Sequence, residues 1–126
     1  MKLIKQLEPP KIDWAVMVRQ ETKHLPEGVV TEYASGSGRE ISTALAQMNG
    51  RHPVTGWFRN REVDMWYLML RGELVITMEG RAPRTIRAGE WFHIPKGAWY
   101  RDEFKNAVLE IPTVPAWTLE QTEQKP

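Results

Sequence analysis

A chain of 126 residues, 41% hydrophobic and 26% charged with no cysteine, has the size and composition of one globular domain that carries its own core. Seventeen Lys and Arg against sixteen Asp and Glu give a formal charge of +1, far from the basic excess of a phosphate-tracking nucleic-acid binder, and the missing thiols exclude cysteine catalysis, cysteine-based zinc sites and Fe–S clusters. No apolar run approaches the roughly 18 residues of a membrane span and no signal sequence opens the chain, so a cytoplasmic location is expected, with neither nucleic acid nor membrane as partner.

In chain order, Pro9-Pro10 closes a polar leader over 1–11, and Ile12-Asp13-Trp14-Ala15-Val16 begins a strand predicted over 12–18. Further strands are predicted over 28–34, 40–48, 54–59, 63–70, 73–79, 82–87, 90–94, 98–104 and 106–111. They are separated by turn signals such as Asn49-Gly50, Arg71-Gly72, Glu79-Gly80, Ala88-Gly89 and Lys96-Gly97. Their hydrophobic period is two: Leu74, Ile76 and Met78 share one face, and Ala107, Leu109 and Ile111 share another. Gly36-Ser37-Gly38 lacks the strand-to-helix setting of a phosphate loop and reads as a flexible turn. A short helix is predicted within 117–121, and the polar residues 119–126 read as a flexible tail. About ten short strands in one domain over 1–126, with the barrel in 12–118, make an all-β sandwich or barrel.

One stretch is more specific. Gly89-Glu90-Trp91-Phe92-His93-Ile94-Pro95-Lys96-Gly97 is a turn, a strand and a proline stop before a second glycine turn, and it resembles the second cupin motif. Trp66-Tyr67-Leu68-Met69-Leu70-Arg71-Gly72-Glu73-Leu74 resembles the close of the first motif, with Gly72 and Gly89 separated by 17 residues. The resemblance implies a single RmlC-like cupin jelly-roll β-barrel of antiparallel strands. Within the cupins, Ile94-Pro95-Lys96-Gly97, Glu79-Gly80-Arg81 and Pro115-Ala116-Trp117 are most similar to the ethanolamine-utilisation EutQ-like group. Small cupins of this kind pair as homodimers, and the 12–16 strand is suited to completing a neighbour's sheet.

Cupin metal ligands, carried over by motif position, fall on Met65 and Tyr100 and on either Arg59 and Arg61 or, with a longer spacing, Phe58 and Asn60. None suits a divalent ion, because such ions take imidazole, carboxylate or thiolate. No metal and no cofactor is therefore expected. Arg59 and Arg61 project to one side of their strand, either into the barrel mouth as a clamp for carboxylate or phosphate, or into solvent as edge charges. Tyr100 stands where a metal ligand would, either for proton transfer or simply filling the barrel. His93 is a general base if it faces inward and a surface residue if Phe92 and Ile94 do, which hydrophobicity favours. Trp57, Trp66 and Trp99 either wall a pocket or serve core and dimer faces.

The resulting candidate site has Tyr100 and His93 as catalytic residues, with Arg59, Arg61, Trp57, Tyr67 and Trp99 binding substrate. The expected function is a metal-independent cupin that binds a small anionic or carbonyl-bearing metabolite and acts on it as an isomerase, epimerase or lyase. The alternatives are a non-catalytic EutQ-like ligand-binding or accessory protein and, fitting less well, a metal-dependent oxygenase with an atypical site. At Gly97 a positive φ is expected, so that Gly97→Val costs more than about 2 kcal/mol.

Overall fold

The computed structural model describes residues 17–35 and 39–126, so most of the strand expected over 12–18 and the Gly36-Ser37-Gly38 turn lie outside the described residues. The described residues form ten antiparallel strands: β1 Val18–Leu25, β2 Gly28–Ala34, β3 Ser42–His52, β4 Trp57–Asn60, β5 Asp64–Met78, β6 Arg84–Arg87, β7 Trp91–Ile94, β8 Tyr100–Glu110, β9 Thr113–Val114 and β10 Thr122–Lys125. Strand β8 is central, pairing with β3, β5 and β4. The β1–β2 hairpin continues the sheet from β3, β6 and β7 flank β5, and β10 flanks β4. The result is an all-β jelly-roll barrel. Among the described residues no helix is long and apolar enough to cross a membrane.

Two expected breaks are bends within continuous strands. In β5 the buried positions are Met65, Tyr67 and Met69, then Leu74 and Ile76; in β8 they are Tyr100, Asp102 and Phe104, then Ala107 and Leu109. Each set changes parity once, which requires an extra residue in the ladder, because side chains alternate faces with period two. The register of β5 on β8 shifts on either side of Arg71, and that of β3 on β8 shifts between Met48 and Gly50. Gly50, Gly72 and Asn106 all have positive φ there, and the Asn106 backbone N–H donates to the Asn49 side-chain oxygen at 3.1 Å. Arg71-Gly72 and Asn49-Gly50, which read as turns, therefore mark one line of bulges along which three neighbouring strands bend together. The bend lets apolar residues on both sides of it face one core, in which Met69, Leu74, Ile76, Ile94 and Leu109 are fully buried. Each such side chain stabilises the fold by roughly 1.5–3 kcal/mol relative to exposure.

The expectation of a flexible tail over 119–126 is corrected. Leu119–Gln121 forms a 3-10 turn and β10 pairs with β4 in the register Thr122↔Asn60 through Lys125↔Trp57. Composition misled here because these residues are polar, yet each key polar group meets a specific partner. Asn60 Oδ1 accepts from Trp117 Nε1 at 3.3 Å, Gln121 Nε2 at 3.2 Å and Thr122 Oγ1 at 3.0 Å, and Gln121 is only 2% exposed.

Candidate functional site

Inside the barrel is a cavity of about 320 Å³. Its walls come from alternating inward positions of successive strands: Val30 on β2, Ala46 and Met48 on β3, Phe58 and Asn60 on β4, Met65 and Tyr67 on β5, and Tyr100 and Phe104 on β8. Trp117, Leu119 and Thr122 close one end, held there by the Asn60 hydrogen bonds. The lining is mostly apolar, with two polar poles.

The first pole is a buried Tyr67–Asp102 pair. Tyr67 Oη donates to Asp102 Oδ2 at 2.6 Å, and Asp102 is 1% exposed with no partner for Oδ1 among the described residues. Burial disfavours the carboxylate and pushes the Asp102 carboxyl up to about 8, although the Tyr67 hydrogen bond works in the opposite direction. Burial likewise raises the Tyr67 and Tyr100 hydroxyls, and the neighbouring Asp102 adds to this, so both phenols are neutral donors at neutral pH. Hydrogen bonds to Tyr67 and Asn60 partly offset the rise at Tyr100. A carboxyl that titrates near neutrality behind a phenol is suited to giving and taking protons.

The second pole is His52, at the end of β3. Its Nδ1 lies 3.6 Å from a Glu27 carboxylate oxygen, and the residue lines the cavity. Burial lowers the imidazole pKa, with Glu27 partly opposing, so the ring is held neutral at physiological pH and available as a base. Phe58 lies between the poles, 4.8 Å from the His52 ring and 6.5 Å from that of Tyr100 by centroids.

Of the side chains expected in the site, Tyr100 and Tyr67 line the cavity, and the others lie on the outer face. His93 is corrected to an outward position: Phe92 and Ile94 take the inner face of β7, and His93 stacks on Trp66 and lies 3.0 Å from Asp64 Oδ1. That contact, with the Lys96 backbone N–H, holds the exposed Asp64 carboxyl below its usual value. The arginine clamp is corrected as well. Phe58 and Asn60 occupy the inner face of β4, so Arg59 points out, bonded to Glu123 at 2.9 Å and lying over the Trp99 ring. Beyond the strand, Arg61 bonds the same Glu123 at 2.8 Å and the Glu120 carbonyl at 2.9 Å. Trp57 lies under Arg101, and Trp99 lies under Arg59 and Lys125, so neither walls the cavity.

Asp102, Asn60 and His52 were not selected from the sequence as reactive groups. Asp102 shares the inward face with Tyr100 and Phe104 at period two, which was the available signal. The Asn49-Gly50 dipeptide, read as a turn, concealed that His52 is still on β3.

Because both the half-buried Arg59 and the exposed Arg61 pair with the part-exposed Glu123, the double variant Arg59→Ala with Arg61→Ala is expected to lose on the order of 1 kcal/mol of stability. Small carboxylates and phosphates should shift the melting temperature of parent and variant alike. An anion-dependent stabilisation present in the parent and absent from the variant would return the arginines to a binding site.

Of the positions expected to correspond to cupin ligands, Phe58, Asn60, Met65 and Tyr100 line the cavity and Arg59 and Arg61 do not. A phenyl ring, an amide, a thioether and a protonated phenol do not fit a divalent ion. Among the described residues no three His, Asp or Glu side chains converge elsewhere.

No family model matches the sequence, and no curated protein matches it. Solved structures do resemble the fold. A variant of Streptomyces Pac13 with uridine superposes with a TM-score of 0.72 at 12% identity over 84% of each chain, and Pac13 is described as a nucleoside dehydratase. Bacillus subtilis oxalate decarboxylase is similar with a TM-score of 0.65 at 13% identity, over 92% of this chain and 34% of the larger one. A cupin-2 domain protein from Shewanella frigidimarina gives 0.51 at 22% identity, over 60% of this chain and 71% of that one. At these identities the likeness establishes the fold, a cupin barrel.

Proposed function

We propose that this cupin-fold chain is an acid–base enzyme, a lyase or isomerase that binds a small hydroxyl- or carbonyl-bearing metabolite in the barrel and works without a metal. The observation that carries this reading is the buried Tyr67–Asp102 pair, since a buried carboxyl hydrogen-bonded to a phenol beside a mostly apolar cavity has no evident structural use that an apolar pair would not serve better. Its role is to supply a proton: Tyr67 gives its hydroxyl proton to a substrate oxygen and takes that of Asp102. His52 takes a proton from carbon across the cavity. In an isomerisation the electron pair left on carbon is reprotonated elsewhere; in a dehydration it forms a double bond as the protonated hydroxyl leaves as water. The likeness to a nucleoside dehydratase of the same fold supports the second outcome. A non-catalytic binding role, such as an EutQ-like accessory protein would have, is the second reading, favoured by the largely apolar lining.

Incubation with uridine and a panel of hydroxy-carbonyl compounds in D₂O separates the two. The enzyme reading expects either solvent deuterium in, or loss of water from, at least one compound by mass spectrometry, with the rate reduced about 100-fold or more in Asp102→Asn and in His52→Gln. Saturable binding with neither deuterium uptake nor loss of water from any compound would establish the binding role instead.

A further inference from the structure

We infer, on the acid–base reading of the same cavity, that the barrel is built for an uncharged ligand with a flat apolar face and a hydroxyl or carbonyl edge, and that it rejects carboxylates, phosphates and ammonium groups. The shape follows from the walls, where the Phe58 and Phe104 rings, with Val30, Ala46 and Met48, line a space near the small end of ligand pockets. The polar edge follows from the polar groups at the lining, the Tyr67 and Tyr100 hydroxyls and the Asn60 amide, all neutral.

The selection against charge follows from how each ionic group at the lining is engaged. Among the described residues Lys23 is the only permanent cation there, and its ammonium lies 3.1 Å from Glu32 Oε1 and 4.4 Å from the Trp117 ring centroid. His52 carries no positive charge at neutral pH, since burial lowers its pKa, and its Nδ1 side is turned to Glu27. An anion entering the barrel would therefore lose its hydration without meeting an unengaged cation. A cation fares no better. Glu32 is paired with Lys23, while Glu27 behind His52 and Asp102 behind the Tyr67 hydroxyl do not line the cavity. The sequence reading allowed an anionic metabolite because Arg59 and Arg61 were placed at the mouth. With both on the outer face, that source of charge complementarity is gone.

The test uses protein labelled with ¹³C at the methionine methyls and three probes of one shape: benzyl alcohol, benzoate and benzylammonium. Met48 and Met65 line the cavity, whereas the fully buried Met69 does not and serves as the internal reference. Benzyl alcohol is expected to move the Met48 and Met65 resonances saturably, with each charged probe weaker by about tenfold or more. Glu32→Gln, which releases Lys23, is expected to strengthen benzoate several-fold and leave the alcohol unchanged. Benzoate or benzylammonium binding as tightly as the alcohol would overturn the charge selection while leaving the cavity a ligand site. Unchanged benzoate affinity in Glu32→Gln would overturn the ion pair as its cause. If no probe moves either methyl, the cavity is not a binding site and the acid–base reading falls with it.

Discussion

Gly72→Val is expected to destabilise the protein by more than about 3 kcal/mol, or to prevent accumulation of folded protein, and to exceed the cost of the same change at Gly97. Both glycines have positive φ, +73° and +82°, which a β-branched residue resists. The difference lies in their surroundings. A Cβ at Gly72 would be driven into the carbonyl oxygens of Lys105 and Asn106 on the facing strand, whereas at Gly97 it would meet nothing within 4 Å. Relief at Gly72 would require β5 and β8 to separate at their shared bend, which holds Met69, Leu74 and Leu109 in one core. Gly97→Val should cost only the backbone strain of its turn, about 1–2 kcal/mol, which lowers the value above about 2 kcal/mol expected from the sequence because a Cβ there meets open space. Urea denaturation of both variants checks the ranking, and equal losses would show that the bulge line is not a fixed feature of the fold.

Asp102→Asn is expected to change the pH dependence of stability more than any other single substitution. Folding raises the carboxyl from the ordinary value near 4 to about 8, so between those limits the folded protein holds a proton that the unfolded chain has released. Stability contributed at this site is complete below about pH 4. It falls as pH rises, by up to about 1.4 kcal/mol per unit, and levels off above about pH 8. Asparagine cannot ionise, so the curve of the variant should lie progressively above that of the parent through this window. His52, whose pKa is lowered by burial, contributes a slope of the opposite sign as pH rises through its range, but it does so equally in both proteins and cancels in their difference. Parallel curves from pH 5 to 9 would mean that Asp102 is ionised in the folded state.

Much of the fold was legible because period-two alternation survives wherever one strand face is buried, as in Leu74 and Ile76 or Phe92 and Ile94. What alternation cannot show is a bulge. The parity changes at Gly72 and Asn106 look, in sequence, like the end of one strand and the start of another, although the ladder continues through them. The same limit governed the site. Whether Arg59 and Arg61 or Phe58 and Asn60 face inward is a one-residue question of register, and it was decided by pairing with β8 and β10, contacts distant in sequence. Glu123, which pairs with both arginines, belongs to a segment whose polarity read as a flexible tail. Tyr100 was found by motif position, but the chemistry of its neighbour Asp102 arises from burial, a property of the assembled barrel that local sequence does not carry.

The claim on which the functional reading rests is that the barrel interior holds a carboxyl that titrates near neutrality. The chain has only three aspartates, so ¹³C labelling of their side-chain carboxyls gives few signals to follow by NMR from pH 5 to 10, with Asp102→Asn assigning the one that matters. The expected result is one carboxyl with a midpoint near 8, absent from Asp102→Asn and moved higher in Tyr67→Phe, because the lost hydrogen bond no longer favours the carboxylate. Three carboxyls already ionised at pH 5, none changing up to pH 10, would contradict it.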